Sequence, residues 1–189
     1  MKTKFILQGG NSSKKSDDNE KFFHEIINSV SSETVKILCV YFARLEDRWE
    51  DSFDEDQAIF LNLATKKDLE IKMAVLEKEE LVEQIKNADV VFVNGGRRGC
   101  LKETLQNLEN FSELIDGKVV VGISAGANIL SRYYYANTFN EIREGVGILP
   151  IKLICHYLDE YGEVFEQLDN YKEKLPIYKI EEEKYLIFS

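Results

Sequence analysis

Short apolar runs alternate along this chain with longer segments of helical period, and that alternation limits the folds available to it. The runs are Phe5–Gln8, Val35–Ala43, Leu69–Leu76, Asp89–Asn94, Lys118–Ile123 and Ile151–Cys155. Several are continuously apolar, which suits parallel strands covered on both faces. Between them, Asp18–Val30 carries Phe22, Phe23, Ile26, Ile27 and Val30 at helical spacing. Asp54–Thr65, Glu79–Asn87, Leu101–Leu114 and Ala125–Tyr135 are read as helices on the same logic. Repeated strand–helix units predict an α/β chain: a doubly wound, mostly parallel sheet with helices on both faces and right-handed crossovers. The C-terminal IYKIEEEKYLIFS reads as two strands around an acidic turn, an antiparallel hairpin at a sheet edge. With two prolines, no repeat and no low-complexity linker, residues 1–189 are expected to form one domain.

Composition narrows the function. Apolar residues make up 44%, enough for a folded core. No apolar run approaches the roughly 18–20 residues that span a bilayer. The N-terminal MKTKFILQGG has an apolar run of only three residues, too short for a secretory signal, so a cytoplasmic protein without membrane partners is expected. The net charge of −10 and the absence of a basic stripe argue against nucleic acid as a partner. Cys39, Cys100 and Cys155 lie far apart without CxxC spacing and read as reduced thiols, Cys39 as a small buried hydrophobe. No HExxH motif or cluster of ligand-type residues points to a metal, and no cofactor is implied. Monomer and homodimer both remain open.

The most informative stretch is VVVGISAGANIL, Val119 to Leu130. It places a GxSxG pattern between a strand and a helix, the context of a nucleophile elbow. Gly122, Ala125 and Gly126 supply the small neighbours that a sharp turn needs. Ser124 is then lifted out at the carboxyl end of the sheet, where doubly wound folds bind ligands. A serine needs a base, and the chain has two histidines. His24 lies among helix positions and reads as a surface residue. His156 ends the run IKLIC, on the same sheet edge as Ser124, and is the natural general base. One strand before the serine, VFVNGGRRG brings a second glycine pair, with the Gly96 N–H placed as an oxyanion donor beside that of Ala125. The same loop read otherwise is a phosphate turn or a plain turn, although no GK[ST] follows.

These motifs together resemble the peptidase S51 family, which includes the alpha-aspartyl dipeptidases and the cyanophycinases. The family's G-x-S-A-G-A-N run is matched by Gly122–Asn128, and its G-L-x-P…H segment by Gly147–His156. The resemblance covers most of the chain. It implies a flavodoxin-like sheet of the class I glutamine amidotransferase-like superfamily, with Ser124 as nucleophile, His156 as base, and Gly96 and Ala125 at the oxyanion hole. It also implies a serine peptidase acting on a small peptide, with Asp-X dipeptides as one candidate. The dipeptidase's N-D-M-P segment, which supplies the triad acid, is replaced here by ANTFNEIREG. Glu141 is the nearest acid and the first candidate, with Glu144, Asp159 and Glu160 behind it. Arg97 and Arg98 read either as a solvated pair or as a clamp for a substrate carboxylate. Arg97 and Asn128 are the substrate-binding candidates. The competing reading is a non-catalytic binding or regulatory protein on the same fold. Glutaminase activity is disfavoured, because that superfamily uses cysteine at the elbow.

Overall fold

The computed structural model describes residues 2–97, 99–159 and 161–189. Five of the apolar runs form parallel strands of one sheet: β1 (Lys4–Gln8), β2 (Thr34–Val40), β3 (Asp68–Met73), β4 (Val90–Val93) and β5 (Val119–Ile123). The sheet is completed by β10 (Tyr185–Phe188), and its order is β10-β1-β5-β4-β2-β3. Every side chain of β4 and β5 is buried, as their unbroken apolar sequences require.

Helices α1 (Asp17–Asn28), α2 (Trp49–Leu63) and α3 (Lys78–Asn87) fall close to their expected positions. Ser16 caps α1 by accepting from the Asn19 N–H, and Asp17, Asp18 and Glu20 fill its positively polarised first turn. Phe23 of α1, Phe60 of α2 and Phe92 of β4 stack edge to face, with centroids 4.9 and 5.2 Å apart, and lock the helices onto the sheet. The helix expected over Leu101–Leu114 is split into α4 (Leu101–Asn107) and α5 (Phe111–Leu114), because Asn110 takes a left-handed φ of 55°. No helix among the described residues is long and apolar enough to cross a membrane.

Beyond β5 the chain departs from expectation. The predicted helix Ala125–Tyr135 stops as α6 (Ala125–Leu130), and the aromatic run that follows becomes β6 (Ser131–Ala136). Ser131, Tyr133 and Tyr135 are buried in alternation, a period of two rather than 3.6. β6 opens a second sheet, ordered β7-β6-β8-β9, with β7 (Glu141–Glu144), β8 (Leu149–Cys155) and β9 (Ile177–Ile180). The run Ile151–Cys155 therefore lies in this second sheet, between β6 and β9. Helix α7 (Gly162–Asn170) packs on it. Lys152, fully buried, donates from Nζ to the carbonyls of Leu168, Asp169 and Tyr171, which satisfies the C-terminal end of α7.

The antiparallel strand expected at the sheet edge is β10, and its partner is β1. The two C-terminal strands do not pair with each other: β9 runs parallel to β8 in the second sheet. Residues 181–184, read as a hairpin turn, instead cross from one sheet to the other.

Candidate active site

β5 lies between β1 and β4, so Gly9-Gly10 and Gly95-Gly96 flank the residue that follows it. That residue is Ser124, with φ 50° and ψ −107°. A non-glycine residue there costs about 1–3 kcal/mol and is characteristic of a functional turn. Its neighbours hold it in place. The Ser124 N–H donates to Gln8 O at 2.9 Å. A Cβ at Gly126 would sit 2.1 Å from Val93 O, and one at Gly122 would sit 2.7 Å from the Ala127 backbone. The small residues of the motif thus let α6 fold back tightly over the ends of β4 and β5.

His156 follows β8 and reaches the serine from the second sheet. Its N–H donates to Gly9 O at 3.1 Å, and it too is left-handed at φ 50°. Its Nε2 lies 2.8 Å from Ser124 Oγ. Gly10, at φ 133°, makes room for the ring: a Cβ there would fall 2.1 Å from His156 Cε1. Cys155, beside it, is fully buried, and burial pushes its thiol far up, so it offers no thiolate.

The carboxylate at the other ring nitrogen is Glu182, whose Oε1 lies 2.9 Å from His156 Nδ1. Glu141 stands elsewhere, on β7, paired with Arg143. Glu144 pairs with Lys172, Asp159 is exposed, and Glu160 lies outside the described residues. A carboxylate only accepts, so Nδ1 carries the proton and Nε2 is left to accept from the serine hydroxyl. Glu182 is held in turn, since Asn11 Nδ2 donates to its Oε2 at 3.2 Å. Asn19 of α1 fixes that loop through Nδ2 donation to the carbonyls of Asn11 and Lys14, while its Oδ1 accepts from Gln8 Nε2. The sequence points to Glu141 and does not single out Glu182 as the carboxylate beside the ring. The only signal was three consecutive glutamates in the C-terminal turn.

Two cavities meet at Ser124 and His156, and both are bordered by Gly96 and Arg97. The smaller, of about 480 Å³, also has Arg44 and Arg48 on its wall. Among the described residues Arg44 makes no ion pair, whereas Arg48 lies 3.6 Å from Asp51. The larger, of about 810 Å³, is bounded by Tyr134, Phe139, Ile142 and Tyr171. Ala125 and Asn128 border it too, and Asn128 Oδ1 is buried without a hydrogen-bond partner among the described residues. Arg98 lies outside the described residues.

No curated protein matches this chain. Among solved structures, a peptidase from an acI-B1 Actinobacterium is similar, at 19% identity and a TM-score of 0.67, covering 100% of this chain and 84% of its own. A protein assigned as a peptidase E from Listeria monocytogenes EGD-e is similar at 15% identity and a TM-score of 0.67, covering 100% and 98%. Both likenesses are of fold. The family model for peptidase family S51 matches residues 5–189, nearly the whole chain. The chain therefore belongs to peptidase family S51 and is a serine hydrolase at the level of that family.

Proposed function

We propose that the chain cleaves short peptides through a triad of Ser124, His156 and Glu182, with an acidic residue favoured on the amino-terminal side of the cleaved bond. The observation that carries this reading is the unbroken relay from Ser124 Oγ to His156 Nε2 and from Nδ1 to Glu182, at 2.8 and 2.9 Å. Ser124 Oγ attacks the peptide carbonyl carbon and its proton passes to His156 Nε2. The oxyanion is met by the N–H groups of Ala125 and Gly96. Glu182 steadies the imidazolium, which then gives its proton to the leaving amine. Water attacks the acyl-serine by the same route in reverse.

The acidic preference is supported by Arg44, Arg48 and Arg97 around the smaller cavity, since guanidinium groups suit carboxylates. Asn128 borders the larger cavity on the other side of Ser124 and is the substrate-binding candidate there. The test is a panel of dipeptides and tripeptides, including Asp-X and Glu-X, read by mass spectrometry. Native chain is expected to cleave the acidic members, and Ser124→Ala to lose at least about 10⁴-fold in rate while keeping its fold. Equal cleavage by the two proteins overturns the assignment of Ser124.

A further inference from the structure

Behind the glycine pair beside Ser124 lies a carboxylate that the triad does not use. Asp56, on α2, is 2% exposed, and Asn94, which follows β4, is 4% exposed. Asp56 Oδ2 accepts from Tyr41 Oη at 2.9 Å and from Asn94 Nδ2 at 2.5 Å. Asn94 Oδ1 in turn accepts from the Gly95 N–H at 2.6 Å and from Arg44 Nη2 at 3.3 Å. The main chain of Asn94 is anchored as well, its N–H donating to Val40 O at 2.9 Å.

We propose that Asp56 and Asn94 form a buried positioning pair that sets the Gly95–Gly96 backbone beside Ser124, and with it the oxyanion pocket. This inference rests on the serine-hydrolase reading of the site. An ionised carboxylate has only acceptors, so it turns the donor side of the Asn94 amide toward α2. The carbonyl side is thereby committed to the Gly95 N–H and to Arg44. Gly95 presses directly on the elbow: a Cβ there would fall 3.0 Å from Ile123 O and 3.1 Å from Ser124 Cβ. The loop's own residues, Gly95 and Gly96, have no side chains with which to hold a conformation, so the Asn94 amide does it for them. Gly96, the next residue, borders both cavities. A charge in this core works against folding, since burial pushes the Asp56 carboxyl up to about 6 while the Tyr41 and Asn94 hydrogen bonds draw it back. An apolar residue would pack without that cost, and the network explains what the carboxylate does instead. Asp56 borders neither cavity and acts through Asn94; Asn94 itself borders the smaller cavity and acts through the Gly95–Gly96 backbone.

The experiment is the rate of Ser124 labelling by diisopropyl fluorophosphate, followed by intact mass, with melting temperatures measured in parallel. In this reaction the Ser124 Oγ–P bond forms, P–F breaks, fluoride leaves, and the hydroxyl proton passes to His156. The phosphoryl oxygen must enter the oxyanion pocket, so the rate reports the loop. Asn94→Asp sets two carboxylates against each other and is expected to slow labelling about 100-fold. Asn94→Ala and Asp56→Asn are each expected to slow it about 10-fold, with the labelled fraction corrected for folded protein. In the exchanged double variant, Asp56→Asn with Asn94→Asp, the new amide donates to the new carboxylate, which again accepts from Gly95 and Arg44. Labelling should return to within about threefold of native, a recovery that mere loss of packing does not produce. Folded single variants that label at the native rate, or an exchange that fails to recover, overturn the positioning pair and leave the serine assignment standing. A native chain that does not label at all overturns the serine-hydrolase reading and this inference with it.

Discussion

The two sheets contribute to the site in different ways. The six-stranded sheet supplies Ser124 from the centre of its carboxyl edge, where strand, elbow and returning helix are contiguous in sequence. The four-stranded sheet supplies His156, from a strand whose neighbours come from residues before and after it. Glu182 belongs to neither sheet and lies on the crossing between them. Ser124 is thus fixed by local sequence, and His156 and Glu182 by tertiary contacts. Those contacts converge on the end of β1. Gln8 O accepts from Ser124 N, Gly9 O from His156 N, and Gly10 O from Glu183 N. Three adjacent carbonyls therefore hold Ser124, His156 and the turn bearing Glu182 in one frame.

Breaking that frame should have the largest effect. Gly10→Ala puts a methyl group where the His156 ring stands and asks alanine to adopt φ 133°. The ring is the softer partner and moves. The expected result is a fall in kcat/KM of about 10³-fold or more, with a stability loss of only about 1–3 kcal/mol. Comparing peptide turnover with a denaturant titration separates the two. A protein that unfolds outright would mean that the glycine serves packing before it serves the histidine.

Support of the second sheet comes next. In Lys152→Met, three carbonyls near the end of α7 lose their shared donor, while the volume of the side chain is nearly kept. Buried groups left without partners cost about 1–3 kcal/mol each, with relaxation reducing the sum. A loss of about 3 kcal/mol in urea unfolding is expected, with the m-value unchanged. Because Tyr171 borders the larger cavity and β8 carries His156, activity should fall less than stability, by about threefold.

This division between the sheets also decides what the sequence makes legible. The first sheet is readable because its central strands are covered on both faces, and Val90–Val93 and Val119–Ile123 become unbroken apolar words. The elbow is readable because its steric demands fall on consecutive residues. In the second sheet β7 and β9 are largely half-buried, and their signal is weak. Ser131–Ala136 follows a helix directly, and Ile129, Leu130, Tyr133 and Tyr134 mimic a helical stripe, so a strand is taken for a continued helix. β8 is legible as the run Ile151–Cys155, but Lys152 hides its burial, because a lysine in a strand ordinarily argues for exposure. Glu141 is favoured in the sequence because it lies between serine and histidine in the chain. Nothing local says that residues 181–184 bridge two sheets, and three successive glutamates do not announce which one meets the ring.

The last comparison sets the two glutamates against each other. Glu182→Gln keeps an acceptor for His156 Nδ1 but removes the charge that balances the imidazolium. In a buried triad such a change costs about 10⁴-fold. Here the His156 and Glu182 side chains are 37% and 51% exposed, so water takes over part of the role. A fall in kcat of about 10²-fold is expected, with KM nearly constant, because the charge develops only as the reaction proceeds. Glu141→Ala removes only the surface pair with Arg143, and kcat should stay within about twofold of native. If the two variants exchanged these outcomes, the acid would lie between serine and histidine as the sequence first suggests, and the turn at residues 181–184 would be a structural crossing that happens to touch the ring.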